Sequence, residues 1–256
     1  ALHDLHHAEQ IKRIWKESLG RYGVRKVWQQ LKREGYVIAR CTVARLMQKL
    51  GIQGVWRGKN KQTTRSRDDQ KRADDLVKRN FNADHPDQLW VADFTYIQTH
   101  SGWVYTAFII DVFSRAIVGW KVSTRMNTNM VLDALEQALH DRGMPKNVIH
   151  HSDRGVQYLS IRYTNRLEAA NLRASVGTTG DSYDNALAET VNGLYKTEVI
   201  EYLKADWQGL ADVQLATLNW VDWFNKKRVH SALGYVSPFE FEAMYYDKIN
   251  PLGQEA

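Results

Sequence analysis

The chain has 256 residues and 43% hydrophobic content, enough for one large domain or two modest ones with a real core. No apolar run approaches a membrane span, no charged-then-apolar leader follows Ala1, and Cys41 alone excludes a disulfide framework or a thiolate zinc site, so a cytoplasmic protein is expected. The formal charge of +6 is unevenly divided: residues 1–80 hold 20 Lys and Arg against 8 Asp and Glu, whereas residues 81–256 hold 15 against 21. The first part is thus suited to a polyanion, and the acidic second part to cations that would let it approach one.

Residues 1–52 read as a domain of three short helices. Ile11, Ile14 and Trp15 mark the first, which ends at Gly20, and Val24, Val27, Trp28 and Leu31 mark the second, which ends at Gly35. Val43, Leu46, Met47 and Leu50 mark the third, with Thr42 its expected cap and Gly51 its stop. Short helices joined by a Gly-containing turn have the form of a helix-turn-helix, whose last helix enters the major groove of double-stranded DNA. The outward side chains of that helix are Arg40, Arg45, Gln48 and Lys49. Arg and Gln suit bidentate contacts to base edges, and Lys suits phosphate. A solvated three-helix bundle that binds no nucleic acid is the alternative. Cys41 reads as a small residue at the helix entrance. Residues 53–84 then shift to Gly, Thr, Asn, Ser and scattered Lys and Arg, a basic linker in which Gln62–Arg67 lacks any apolar period and Asp69–Asn80 suits a charged surface helix.

From 85 to 204 the period changes. Leu89, Val91, Asp93, Thr95 and Ile97 alternate with Trp90, Ala92, Phe94 and Tyr96, which sets Asp93 inside a strand otherwise fit to be central. A carboxylate there is costly unless something compensates it. His100-Ser101-Gly102 reads as a hairpin turn into strands Trp103–Asp111 and Ala116–Val122, with Asp111 a turn former. A helix opened by Asn127 and Thr128 closes at Arg142-Gly143, and the short apolar run Val148-Ile149 leads to a Gly-containing loop at Asp153. A helix Ile161–Ala170, a strand Leu172–Val176 and a loop Gly177–Tyr183 precede a last helix. In that helix Ala188, Val191, Leu194, Tyr195 and Val199 take one face, and Asn185, Glu189, Asn192 and Lys196 the other. Strand-helix-strand crossovers added to an antiparallel meander give an α/β fold, a mixed five-stranded sheet flanked by helices. His150 and His151 fall on opposite strand faces and so form no two-histidine clamp, and neither Gly-x-Ser-x-Gly nor a P-loop occurs. Residues 205–256 read as a C-terminal helical extension, with an apolar helix (Leu210, Val213, Leu218, Val221, Phe224) and then the cations Lys226, Lys227 and Arg228, which suit a phosphate or a helix end equally.

Asp93, Asp153 and Glu189 can meet only if the first and fourth strands are neighbours, which this sheet permits. Three acids in one pocket repel one another, and hard oxygen donors with open positions favour Mg²⁺ or Mn²⁺. Two such ions can activate an attacking oxygen and stabilise a leaving one in an in-line displacement at phosphorus. Lys196, seven residues past Glu189, falls nearly in line with it, about 10 Å along the helix, and suits a phosphate.

The runs Leu89–Ile97, His151–Tyr158 and Asp181–Glu189, with 35 residues between Asp153 and Glu189, resemble the integrase core of the bacterial insertion-sequence transposases of the IS3 family. The likeness continues through Lys196, Asn225, Arg228, His230, Ser231 and Pro238, and departs where Thr190 stands in place of Ser. It implies a ribonuclease-H-like core, two divalent ions held by Asp93, Asp153 and Glu189, and cleavage and joining of DNA at element ends by a homo-oligomer. DNA contacts are expected at Asn192, Lys196 and Arg228. Such transposases usually acquire a further DNA-binding and coiled-coil segment by a frameshifted fusion, which this sequence does not contain. A non-catalytic DNA-binding protein derived from a transposase, or a ribonuclease-H-type nuclease, are the other readings.

Overall fold

A computed structural model describes residues 2–56, 77, 81–153, 155–176, 186–203 and 206–250. The expected linker features at 62–67 and 69–80, the loop at 177–183, and the motif residues Arg154 and Asp181–Asn185 lie outside this set, apart from Val77.

Helices α1 (Leu2–Glu17), α2 (Val24–Arg33) and α3 (Arg40–Lys49) pack around Ile11, Ile14, Val27, Leu31, Val43, Leu46 and Met47. Their apolar residues recur at helical spacing, so each helix is held by burial of one stripe rather than by strong caps. Helix α3 begins at Arg40 and not at Thr42. Ala39 is extended, carries no side-chain cap, and accepts the amides of Thr42 and Val43 through its carbonyl at 3.0 and 3.2 Å. Burying Val43 together with Leu46 and Met47 sets the helical phase, and this places Thr42 inside the first turn. Cys41 is exposed at the helix entrance.

Strands β1 (Leu89–Thr99), β2 (Gly102–Asp111) and β3 (Ile117–Ser123) form the antiparallel meander, while β4 (Ile149–Ser152) and β5 (Arg173–Val176) add in parallel, giving the order β3-β2-β1-β4-β5. The first and fourth strands are therefore neighbours. Helices α4 (Thr128–Asp141) and α5 (Ile161–Ala169) cover one face over Trp90, Ala92, Ile109, Leu135, Tyr163 and Leu167. Asn127 caps α4 by accepting the Met130 amide at 3.2 Å. Gly119 of β3 allows close docking of α4: a Cβ there would lie 2.2 Å from the Ala134 carbonyl oxygen.

On the other face lie α6 (Ala186–Tyr195), a π-helical turn (Lys196–Glu201) and α7 (Leu210–Lys226). Phe108, Tyr195 and Trp220 stack there at centroid distances of 5.2–5.9 Å. Helix α8 (Pro238–Ile249), the second helix of the C-terminal extension, follows a Ser237/Glu240 capping box with Pro238 at its first position. It is tied down from within: Arg142 donates to Asp87 and to Glu242 at 2.8 Å each, and Ser114 donates to Glu242 at 2.6 Å. Asp111 is the turn former expected, accepting the Asp87 and Ser114 amides at 2.7 and 2.8 Å; burial pushes its carboxyl up to about 6.

The three-helix unit is docked on this side of the core. Tyr22 Oη donates to the Lys227 carbonyl at 3.2 Å and accepts the Val229 amide at 2.8 Å. Arg21 lies over Trp223 at 4.6 Å and donates Nε–H to the Glu198 carbonyl at 3.1 Å. Arg33 reaches the Tyr235 carbonyl and Glu240 at 2.6 and 2.7 Å. Among the described residues no helix is long and apolar enough to cross a membrane.

Candidate active site

The site follows from strand register. Strands β1 and β4 pair in parallel from Leu89↔Ile149 to Ala92↔Ser152, so the next residues on each, Asp93 and Asp153, emerge side by side where β4 ends. Adjacent strands lie about 4.8 Å apart, and in a parallel pair residues at one level point to one face. Helix α6 crosses that face. Asn192 donates Nδ2–H to Asp93 Oδ2 at 2.8 Å, while Asp93 Oδ1 accepts the Phe94 amide at 2.8 Å. Glu189 precedes Asn192 by three residues, about 4.5 Å along the helix and on the same side. Asp153 Oδ1 accepts the Gly155 amide at 2.9 Å, and a Cβ on Gly155 would sit 2.9 Å from that same oxygen.

The three acids sense one another. Burial, then the charges of Asp153 and Glu189, push the Asp93 carboxyl up to about 8, against the pull of the Phe94 and Asn192 hydrogen bonds. Burial raises Asp153, and burial together with Asp153 raises Glu189. Mutual repulsion of this kind is what a divalent cation relieves. The donors are hard oxygens, and among the described residues the buried Asn192 Oδ1 has no hydrogen-bond partner. That chemistry fits Mg²⁺ or Mn²⁺. Among the described residues no three His, Cys, Asp or Glu side chains stand close enough to cage an ion unaided, so the cluster is an electrostatic neighbourhood rather than a closed cage.

The residues expected to touch DNA separate into groups. Arg40, Arg45, Gln48 and Lys49 are exposed on α3, with Arg45 Nη2 engaged by Asp4 at 3.0 Å. Lys196 opens the π turn and lies with its ammonium 4.7 Å from the Tyr96 ring centroid. Asn192 is buried and donates to Asp93, which suits it to orient that carboxylate. Arg228 departs from the expectation: it is 5% exposed, its Nε and Nη2 are bound to Glu198 at 2.6–3.1 Å and its Nη1 lies 3.3 Å from His230, which favours an internal ion pair over a phosphate contact. Of its neighbours, Lys226 pairs with Asp222, and Lys227 is exposed. His150 and His151 do face opposite ways, His150 to Tyr163 at 3.0 Å and His151 to Ser175 at 2.9 Å.

Comparison with known proteins points one way. Models described as "Integrase core domain" match residues 83–182 and 170–238, and one described as "HTH-like domain" matches residues 3–60. The chain is 56% identical over 241 residues to the transposase for insertion sequence element IS629 of Shigella sonnei, covering 94% of this chain and 80% of that one. It is 34% identical over 227 residues to transposase InsF for insertion sequence IS3A of Escherichia coli strain K12, covering 88% and 78%. In fold it is similar to the HTLV-2 integrase catalytic core domain in complex with magnesium, with a TM-score of 0.51 and 18% identity over 63% of this chain and 99% of that one.

Proposed function

This chain belongs to the insertion-sequence transposases of the IS3 family, with an integrase catalytic core and a helix-turn-helix-like domain, and we propose that Asp93, Asp153 and Glu189 are its catalytic acids. The observation that supports this is the continuation of the β1–β4 register into two adjacent carboxylates beneath the helix that carries Glu189. In this reading Asp93, Asp153 and Glu189 would together hold two divalent ions. When bound, Mg²⁺ or Mn²⁺ supplies activation of the attacking oxygen and neutralisation of the leaving one. Likeness in fold to a retroviral integrase core in complex with magnesium favours that choice.

The chain's own groups do the positioning. Asn192 and the Phe94 amide orient both oxygens of Asp93, and the Gly155 amide orients one oxygen of Asp153, so each carboxylate is directed before ions and DNA draw the three acids together. Lys196 steadies a phosphate near the reacting one. A 3′-hydroxyl or water then attacks a DNA phosphodiester in line, cleaving element ends and joining them to target DNA. The side chains of Arg40, Arg45, Gln48 and Lys49 hold the end in the groove. The boundaries follow function: 1–52 binds DNA, 53–84 links, 85–204 catalyses, and 205–256 braces the core. Such chains act as multimers on cytoplasmic DNA.

The test is strand transfer with Mg²⁺ by Asp93→Asn and Glu189→Gln, alongside DNA binding by the same proteins. Both are expected to bind normally and to lose joining by several orders of magnitude. Full activity in either variant refutes the assignment.

A further inference from the structure

The β1–β2 hairpin runs on past β4, which pairs with β1 only as far as Ala92, so among the described residues no strand pairs with that edge of β1 beyond Asp93. On this stretch Tyr96 is 43% exposed, and Trp103 across the hairpin is 49% exposed. The two rings meet edge to face at 5.3 Å. Neither belongs to the apolar clusters on the two sides of the sheet. The ammonium of Lys196 sits over Tyr96, and among the described residues no carboxylate pairs with it. The hairpin tip is fixed, because the amides of His100 and Ser101 donate to the carbonyls of Trp207 and Gln208 at 2.9 and 3.0 Å. Two large rings held rigidly in water beside a lone cation have the make-up of a stacking surface for nucleobases.

We propose that Tyr96, Trp103 and Lys196 form a platform for an unpaired base of the DNA strand being processed, the rings taking the base and the ammonium the adjoining phosphate. This rests on the reading of Asp93 as catalytic. Tyr96 lies three steps past Asp93, about 10 Å along β1 or about three stacked nucleotides, and alternation turns its ring to the opposite face from the acid, where the ammonium of Lys196, from the helix side that carries Glu189 and Asn192, reaches it. The platform therefore captures a base that has left the duplex and passed around the edge of β1 from the reacting phosphate. Stacking is tolerant of sequence because every base has a π-face, so the platform discriminates frayed from paired ends and not one base from another. A merely structural cross-strand pair would stabilise the hairpin and be indifferent to fraying.

The experiment uses the whole chain in EDTA, so that nothing turns over, with short duplexes carrying 2-aminopurine three nucleotides from a 3′ end that is either fully paired or forked. Wild type is expected to quench the forked probe only and to bind it about tenfold more tightly than the paired one. The Tyr96→Leu/Trp103→Leu pair should lose both effects, and Tyr96→Phe/Trp103→Phe should retain both, with all three proteins folded by circular dichroism. A wild type without quenching or preference, a Leu pair that keeps them, or a Phe pair that loses them as fully as the Leu pair each overturns the platform. Asp93→Asn in the same assay should quench like wild type. Failure of the platform with joining still dependent on Asp93 leaves the catalytic reading intact, while full joining by Asp93→Asn removes that reading whatever the quench.

Discussion

Replacing Arg228 separates a structural cation from a DNA contact. Its Nε and Nη2 reach Glu198 at 2.6–3.1 Å, and Trp220 Nε1–H donates to the same carboxylate at 3.1 Å. Burial alone would raise the Glu198 carboxyl, yet the charge and hydrogen bonds of Arg228 hold it below the usual range. Arg228→Met leaves that carboxylate buried without its partner, at a cost of about 3–5 kcal/mol. At 2–4 °C per kcal/mol for a chain of this size, melting should fall by about 10 °C. The pairing also sets a direction with pH: a depressed acid gives stability above its unfolded value, lost as pH falls through the folded one, so the wild type should weaken in acid more steeply than the variant. Glu198→Gln combined with Arg228→Met should recover much of the loss, because an uncharged pair leaves no ion stranded. Melting by circular dichroism reads the stability, and titration of DNA binding against salt reads the contact. An unchanged melting temperature together with a slope of log affinity against log salt shallower by about one would refute the structural reading and restore Arg228 to the DNA.

Gly119→Ala should cost about 1–3 kcal/mol in urea unfolding, since the new methyl meets the backbone of α4 and no flexible side chain can yield. His150 is buried, and burial pushes its ring down to about 4. The unfolded ring titrates near 6.5, so stability should drop as pH falls below that value and level off near 4, by about 3 kcal/mol in all, and His150→Gln should abolish this slope. Asn192→Leu should slow strand transfer by about 10- to 100-fold with DNA affinity unchanged, as expected of a group that orients a carboxylate; weaker DNA binding with normal turnover would instead return it to the interface. Arg45→Ala should reduce the preference for element ends over random DNA by about tenfold, provided Arg45 leaves Asp4 to read a base; equal affinity and equal salt slope would exclude α3 as the reader.

The sheet was legible because alternation is strict where strands are half-buried: Val91, Asp93 and Ile97 against Trp90, Ala92 and Phe94 give β1 its two faces, and adjacency of β1 and β4 follows from the need to bring Asp93 and Asp153 together. The acids proposed as catalytic stand out in the sequence for the same reason. Asn192 was visible at three residues past Glu189 but not its allegiance, since periodicity gives a face and not a partner. Arg228 misled because a run of three cations looks uniform until one of them is buried on Glu198. Helix α8 is announced by Ser237-Pro238-Phe239-Glu240, a signal masked by the weak amphipathicity that follows it. The π turn carries no such mark, as Thr197, Glu198 and Val199 are all buried through contacts distant in sequence.

That turn winds more slowly than the α-helix it interrupts. Excising one residue between Lys196 and Glu201 would swing everything beyond it by about 100°, leaving Glu189 and Asn192 in place while turning Glu198 away from Arg21 and Arg228. The turn therefore sets the angle between α6 and the surface that carries the three-helix unit, which docks there through Arg21 on the Glu198 carbonyl. A chain one residue shorter there would hold that unit on a different bearing to α6.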